Sequence, residues 1–187
     1  MLTIDNYHVM IFLAPPKKKE RRGKKMIDLF CSNGSSWYNK KYFLDECIRN
    51  DIRKGKYVVG SKNHNQILDI NPHYQLDVLN ELVPDDVITD EVVYLDPPHL
   101  MNVKSGIMFQ KYTSLTSEKQ IEILAENCNK ISDKFLIIKW CDLHLSIDSF
   151  LEYFRKYFVD TIRFGDRKNK NTSWLIIMIK KGKERKE

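Results

Sequence analysis

Along this chain the spacing of apolar positions alternates between runs short enough for strands and stretches periodic enough for helices. Residues 26–31 (MIDLFC) form a short apolar run that ends in small polar residues with one glycine, the pattern of a buried strand leading into a turn. Residues 37–53 read as a helix with Tyr38, Phe43, Leu44, Cys47 and Ile48 on its inner face. A second strand is expected at 57–59 and a third around 74–78, and a fourth at 91–96 is stopped by Pro97 and Pro98. A helix over 117–130, an apolar strand over 134–140 and a helix over 146–156 continue the alternation. Two strands, 158–164 and 173–180, flank the polar turn 165–171 and read as an antiparallel hairpin. Strands alternating with helices imply an α/β fold: a mostly parallel sheet with helices on both faces and the hairpin at its C-terminal end.

Composition narrows the class. A length of 187 residues suits one domain, and a chain that is 42% hydrophobic and 30% charged with seven glycines is neither disordered nor collagen-like. The longest apolar runs, 9–14 and 174–179, fall far short of the roughly 20 residues of a membrane helix. No secretory signal's polarity is seen at the N-terminus, so an intracellular, cytoplasmic protein without a membrane partner is expected. The four cysteines have no Cys-x-x-Cys spacing and read as free thiols, and no histidine spacing suggests a metal.

The net charge of +6 sits near the ends. Residues 17–25 carry seven bases against Glu20, and 180–187 carry five bases against two acids. With Pro15-Pro16 breaking the chain, the organisation expected is a basic extension (1–24), one domain (25–181) and a basic tail (182–187). Such clusters could hold a polyanion by releasing counterions, or be a solvated linker and tail.

In an open parallel sheet, ligands bind beyond the carboxyl ends of the strands. Two polar segments fall there. DLFCSNGSSW (28–37) offers a turn at Gly34, with Asp28 fixing the loop or meeting a ligand's ammonium; alone it is also an ordinary strand-to-helix turn. Asp96-Pro97-Pro98-His99 is more specific. Pro98 biases Pro97 toward an extended conformation and leaves its carbonyl outward. The Asp96 carboxylate and that carbonyl are two acceptors for the two hydrogens of an exocyclic amino group, and the His99 imidazole can stack on a base.

Asp96-Pro-Pro-His resembles motif IV of the S-adenosylmethionine-dependent amino methyltransferases, in which Asp/Asn-Pro-Pro-aromatic holds the target amino nitrogen. DLFCSNGSSW resembles their cofactor-binding motif I. The likeness is closer to phage and prophage-type DNA methyltransferases, through Lys111-Tyr112, Ile138-Lys139-Trp140, Phe164-Gly165-Asp166-Arg167 and Thr172-Ser173-Trp174, in order across residues 26–181. The resemblance implies a Rossmann-like class I methyltransferase domain using S-adenosylmethionine, encoded by a virus or mobile element. It implies catalytic Asp96, Pro97, Pro98 and His99, and cofactor contacts from Asp28, Phe30, Cys31, Ser32, Gly34 and Asp77. Lys111, Tyr112, Lys139, Trp140 and Arg167 would meet the substrate, and no metal is called for.

Two departures bear on the cofactor. Ser32 stands where a glycine usually sits, and Gly60-Ser61-Lys62, after the expected second strand, offers no acid for the ribose hydroxyls. Asp77 matches the position that meets the adenine amino group, or is a solvated turn acid. The segment 101–114 is a loop able to close over a base or touch phosphates, or only a connection. A P-loop is excluded at the motif level, the absence of a Gly-x-Ser-x-Gly elbow argues against a serine nucleophile, and the lack of a Pro-Cys setting at Cys128 and Cys141 argues against thiolate attack on a cytosine ring. The function expected is methylation of a nucleobase amino group, adenine in DNA first. The alternatives are RNA adenine, or a non-catalytic nucleic-acid-binding protein that kept the fold.

Overall fold

The computed structural model describes residues 26–34, 39–61, 64–84, 90–168 and 171–182. The basic extension 1–24, the lysine and arginine run 17–25, Trp37 and residues 183–187 of the tail lie outside these.

Six strands form the main sheet: β1 (Met26–Asp28), β2 (Cys47–Arg49), β5 (Asp90–Leu95), β6 (Ser132–Cys141), β7 (Phe158–Lys168) and β8 (Asn171–Lys180). Their order is β2-β1-β5-β6-β8-β7. The pairs β2–β1, β1–β5 and β5–β6 are parallel, whereas β8 runs antiparallel to β6 and β7. The expected α/β architecture with a C-terminal antiparallel hairpin is therefore present. Strands β3 (Gly55–Ser61) and β4 (His64–Ile70) form a separate antiparallel ribbon.

The second half of the chain follows its pattern closely. Helix α3 (Glu118–Ile131) buries Ile121, Leu124, Ala125, Cys128 and Ile131, an i, i+3, i+4, i+7 stripe. Each large apolar side chain on it contributes about 1.5–3 kcal/mol by burial, against propensity differences of at most about 0.7 kcal/mol per ordinary residue, so packing holds this helix. Helix α4 (Ile147–Glu152) is capped by Ser146, whose side chain accepts from the Ser149 N–H. It ends earlier than the expected 156. Its Phe150 ring stacks 4.0 Å from the indole of Trp140 in the centre of the core. Hairpin pairing continues to Lys168, so Gly165, Asp166 and Arg167, expected in the turn, are paired with Trp174, Ser173 and Thr172.

The first half departs in four places. Helix α1 is only Lys40–Asp45, and Cys47–Arg49, expected as its last turns, is strand β2. Cys47 and Ile48 fit the inner face of either element; what decides is parallel pairing with β1, which buries both to 5% exposure or less. Tyr57–Val59 lies in a strand, but one of the ribbon, and its partner β4 was not anticipated. The third strand is a single bridge, Asn50 to Tyr74. The loop 101–114 contains a short helix, α2 (Ile107–Tyr112).

Candidate active site

The carboxyl ends of β1, β2 and β5 open onto one cleft, lined among others by Phe30, Ser32, Asp51, Arg53, Asp77, Asp96, Pro98 and Thr113. Its floor is the turn after β1. Asp28, 2% exposed, accepts the Phe30 N–H at 3.0 Å and so folds the chain over immediately after the strand. The Gly34 N–H donates to the Cys31 carbonyl at 2.8 Å, and the Lys40 ammonium donates to the Gly34 carbonyl. Gly34 sits at φ 68 with its Cα against the Phe43 ring, where a Cβ would come within 2.4 Å. Ser32 adopts φ 44, the left-handed conformation that a glycine would take there without strain.

The second strand of the sheet is β2, so the position expected to carry an acid lies after Arg49 and not at 60–62. It is occupied by Asn50-Asp51. Asn50, 3% exposed, donates to the Leu29 and Leu76 carbonyls, both at 3.1 Å, and accepts the Leu76 N–H at 2.9 Å, stapling the β1 turn to the segment that carries Asp77. The Asp51 carboxylate accepts four hydrogen bonds. Oδ2 takes the Ser32 N–H at 3.0 Å and Arg53 Nη2 at 3.1 Å, and Oδ1 takes the Arg53 N–H at 2.9 Å and Nε at 3.0 Å. The supposed lack of a carboxylate after the second strand is thus corrected. A short apolar pair followed by Arg49-Asn50-Asp51, repeating the pattern of 26–31, was the signal available in the sequence.

Asp77 lines the cleft, and its carboxylate accepts the Leu79 N–H and the Asn80 side chain, shaping the turn beneath it. Cys31 is turned away from the cleft: it is 3% exposed, its thiol donates to the Ser32 carbonyl at 3.5 Å, and burial first, then the charges of Asp28 and Asp51, push that thiol well above the usual range. Of the expected cofactor residues, the cleft brings together Phe30, Ser32 and Asp77; Asp28, Cys31 and Gly34 shape the loop around it.

At the other end, Asp96 follows β5 directly. Its Oδ2 accepts Lys139 Nζ at 2.9 Å, and its Oδ1 lies 3.4 Å from His99 Nε2. Lys139 comes from the paired strand β6, whose Ile138 pairs with Leu95. The His99 ring meets Trp140 edge-on at 5.3 Å and 84°. Trp140 itself is fully buried, and its indole N–H donates to the Leu145 carbonyl. It therefore cannot touch a substrate, contrary to expectation, and instead backs His99. On β5, burial and then the charges of Asp96 and Asp28 push the Tyr94 phenol far up, so it stays protonated. Lys111 lies in α2, where its carbonyl accepts Arg53 Nη1 at 2.7 Å. Tyr112 closes the same helix. Arg167 is exposed on β7, three strands from β5, and is not brought to the cleft.

No family model matches the chain, and no curated protein matches it in sequence. Solved structures do resemble it. A methyltransferase complex from E. cuniculi, responsible for methylation of the eRF1 translation termination factor, aligns with TM-score 0.53 and 12% identity over 84% of this chain and 85% of that one. The fold is that of the class I methyltransferases. Magnesium protoporphyrin IX methyltransferase from Synechocystis PCC 6803, solved with bound SAM, aligns with TM-score 0.50 and 10% identity over 85% of this chain and 71% of that one. A TehB-like SAM-dependent methyltransferase from Corynebacterium glutamicum gives TM-score 0.50 and 12% identity over 86% and 82%.

The cleft can be tested against the ligand that this fold implies. S-adenosylmethionine presents a ribose diol, an adenine amino group and a cationic sulfonium. The cleft presents carboxylates at three separate positions, Asp51, Asp77 and Asp96, with the apolar Phe30, Leu76, Val78 and Leu79 between them. Acceptors for the diol and the amino group, apolar walls for the ring and negative charge for the sulfonium are all present, so the residues fit.

Proposed function

We propose that this protein is an S-adenosylmethionine-dependent methyltransferase acting on an exocyclic amino group of a nucleobase, adenine in DNA first. The observation that carries the reading is the position of Asp96 at the carboxyl end of β5, lining the same cleft as Ser32, Asp51 and Asp77 and followed by Pro97 and Pro98. In this reading Asp51 holds the ribose diol, Asp77 takes the adenine amino group, and Phe30 with Leu76 and Val78 packs on the ring. When bound, the cofactor supplies a sulfonium methyl as electrophile.

The chain's own residues would do the rest. Hydrogen bonds from the target amino group to the Asp96 carboxylate and the Pro97 carbonyl draw its nitrogen toward tetrahedral geometry and direct the lone pair into the cleft. Holding both reactants in line can supply roughly 7–11 kcal/mol of the barrier. His99, braced edge-on against Trp140, offers a ring to an extruded base, offsetting the few kcal/mol that extrusion from a duplex costs. Lys139 occupies Asp96 Oδ2 and must yield to the amino group. A non-catalytic binding module drew its support from Ser32 and from a missing ribose acid; the positive φ of Ser32 and the carboxylate of Asp51 after β2 favour the enzyme over that reading.

The test is transfer of tritiated methyl from S-adenosylmethionine to pools of DNA and of RNA, followed by mass spectrometry of the nucleosides. N6-methyladenosine from RNA would move the substrate to RNA, and the deoxynucleoside would support DNA. Label in neither polymer would overturn the nucleobase reading.

A further inference from the structure

Arg53 binds both oxygens of the carboxylate that a ribose diol would need. Its Nε and Nη2 form a fork on Asp51, and with the Ser32 and Arg53 backbone N–H groups they fill the four acceptor positions of that group. A diol donates two hydrogen bonds, and neither backbone donor can leave without unmaking the turn. The groups free to leave are those of the guanidinium.

The same guanidinium also reaches α2. Its Nη1 donates to the Lys111 carbonyl at 2.7 Å, in the last turn of that helix. Six residues are too few for a helix stable alone, so α2 depends on tertiary links. Gly106 at its N-terminal end makes no side-chain cap, its C-terminal end is closed by the Thr113 N–H on the Phe109 carbonyl, and both flanking residues have positive φ, 97 and 61. Ile107 is 42% exposed and anchors little. Apart from the Arg53 bond, Gln110 Oε1 accepts the Gly60 N–H of the β3–β4 ribbon at 3.1 Å. Thr113, one residue past the helix, lines the cleft.

We propose that Arg53 is a positioning residue that competes with the cofactor ribose for Asp51 and, when displaced, shifts α2. Cofactor binding then changes the segment carrying Lys111 and Tyr112 before the base arrives, which orders the two substrates, cofactor first. This rests on the reading of the cleft as a cofactor site. The competition has an unusual sign: removing a cation that touches the site strengthens binding, because the free protein loses the partner that the diol must replace.

The experiment is isothermal titration of the full chain with S-adenosylhomocysteine and with its 2′-deoxy analogue, comparing wild type, Arg53→Met and Arg53→Lys. Arg53→Met should tighten S-adenosylhomocysteine on the order of tenfold, the weight of one charge-assisted hydrogen bond. The deoxy analogue should gain less, and Arg53→Lys, which cannot fork two oxygens, should fall between. Hydrogen exchange provides the second readout. Saturating S-adenosylhomocysteine should raise exchange at residues 110–115 in wild type, whereas in Arg53→Met these amides should exchange quickly already and respond little. Weaker binding by Arg53→Met, or by Arg53→Lys if the methionine variant melts, would overturn the competition, as would unchanged wild-type exchange. Failure of every variant, wild type included, to bind S-adenosylhomocysteine would instead remove the cofactor site itself.

Discussion

Asp51 and Asp96 stand at the carboxyl ends of two parallel strands, one on each side of β1, and both face the same cleft, yet they are held in opposite ways. Asp51 is clamped by four short donors, two of them backbone and two from a single guanidinium. The partners of Asp96 include the end of Lys139, whose side chain is 43% exposed, and His99 at the longer distance of 3.4 Å. A flexible ammonium at a partly exposed position holds its partner weakly, because solvent screens the pair and side-chain entropy opposes it. The difference suits two jobs. A carboxylate that must accept a transient substrate amino group needs a partner that leaves easily, while Asp51 is held in place by its two backbone donors and has only the guanidinium to exchange for a ligand.

The largest expected effect separates the two acids. Asp96→Ala should reduce methyl transfer by at least about 10²–10³-fold, the usual weight of one oriented group on the reacting centre, while S-adenosylmethionine affinity stays within a few fold. Equal loss of both in titration and single-turnover assays would assign Asp96 to the cofactor. Asp51→Ala should do the reverse in kind: cofactor affinity should fall on the order of 100-fold as two hydrogen bonds to a charged group are lost. It should also cost about 1–3 kcal/mol of stability in denaturant melts, since the Ser32 N–H and the Arg53 guanidinium lose their acceptor. A variant that keeps wild-type affinity would refute the role given to Asp51.

His99 sharpens the Asp96 side. If its ring is used as a face for the base, His99→Phe and His99→Tyr should retain much of the activity and His99→Ala should lose about 1–3 kcal/mol of stacking. Folded but inactive aromatic variants would show that the 3.4 Å approach of Nε2 to Asp96 matters more than the ring.

The two acids also differed in how readable they were. Everything at the Asp96 end is local or between adjacent strands. Proline stops β5 where the carboxylate is needed, and β6 delivers Lys139 from a continuous apolar run. The Asp51 end is assembled from the β1 turn, β2 and the Tyr74–Asp77 segment, and the key strand is three residues long. Phe43, Leu44, Cys47 and Ile48 satisfy helical spacing as well as they satisfy α1 followed by β2, so the helix pattern swallowed the strand and left Asp51 inside an expected helix over 37–53. Ribbon β3–β4 was half visible because Tyr57, Val59, Leu68 and Ile70 alternate, but alternation does not say which sheet a strand joins. Trp140 was misplaced for a different reason: a motif match locates a residue on a strand, while the parity of β6 decides which face it takes, and that face is the core.

Glycine chemistry at the β1 turn allows a finer comparison within the Asp51 side. Gly34→Ala should destabilise by about 1–3 kcal/mol or more, because its Cβ would meet the Phe43 ring at 2.4 Å while the backbone stays at φ 68. Phe43 is 4% exposed and has little room to retreat. An unaffected melting temperature would mean that the turn can take another path.

Ser32→Gly is the smallest effect and the most pointed. At φ 44 the serine bears left-handed strain of about 1–2 kcal/mol, which glycine would relieve. Glycine would also cost about 0.5–1 kcal/mol through the greater freedom of the unfolded chain, so the net gain should lie between about 0 and 1.5 kcal/mol. The backbone N–H that donates to Asp51 is kept in the variant, and cofactor affinity should therefore hold or improve slightly. Chemical denaturation and titration on the same sample read both quantities. If the variant lost stability and affinity together, the serine hydroxyl would be making a contact that the backbone argument leaves out, and the turn would be specific to this chain rather than a strained version of the glycine turn it replaces.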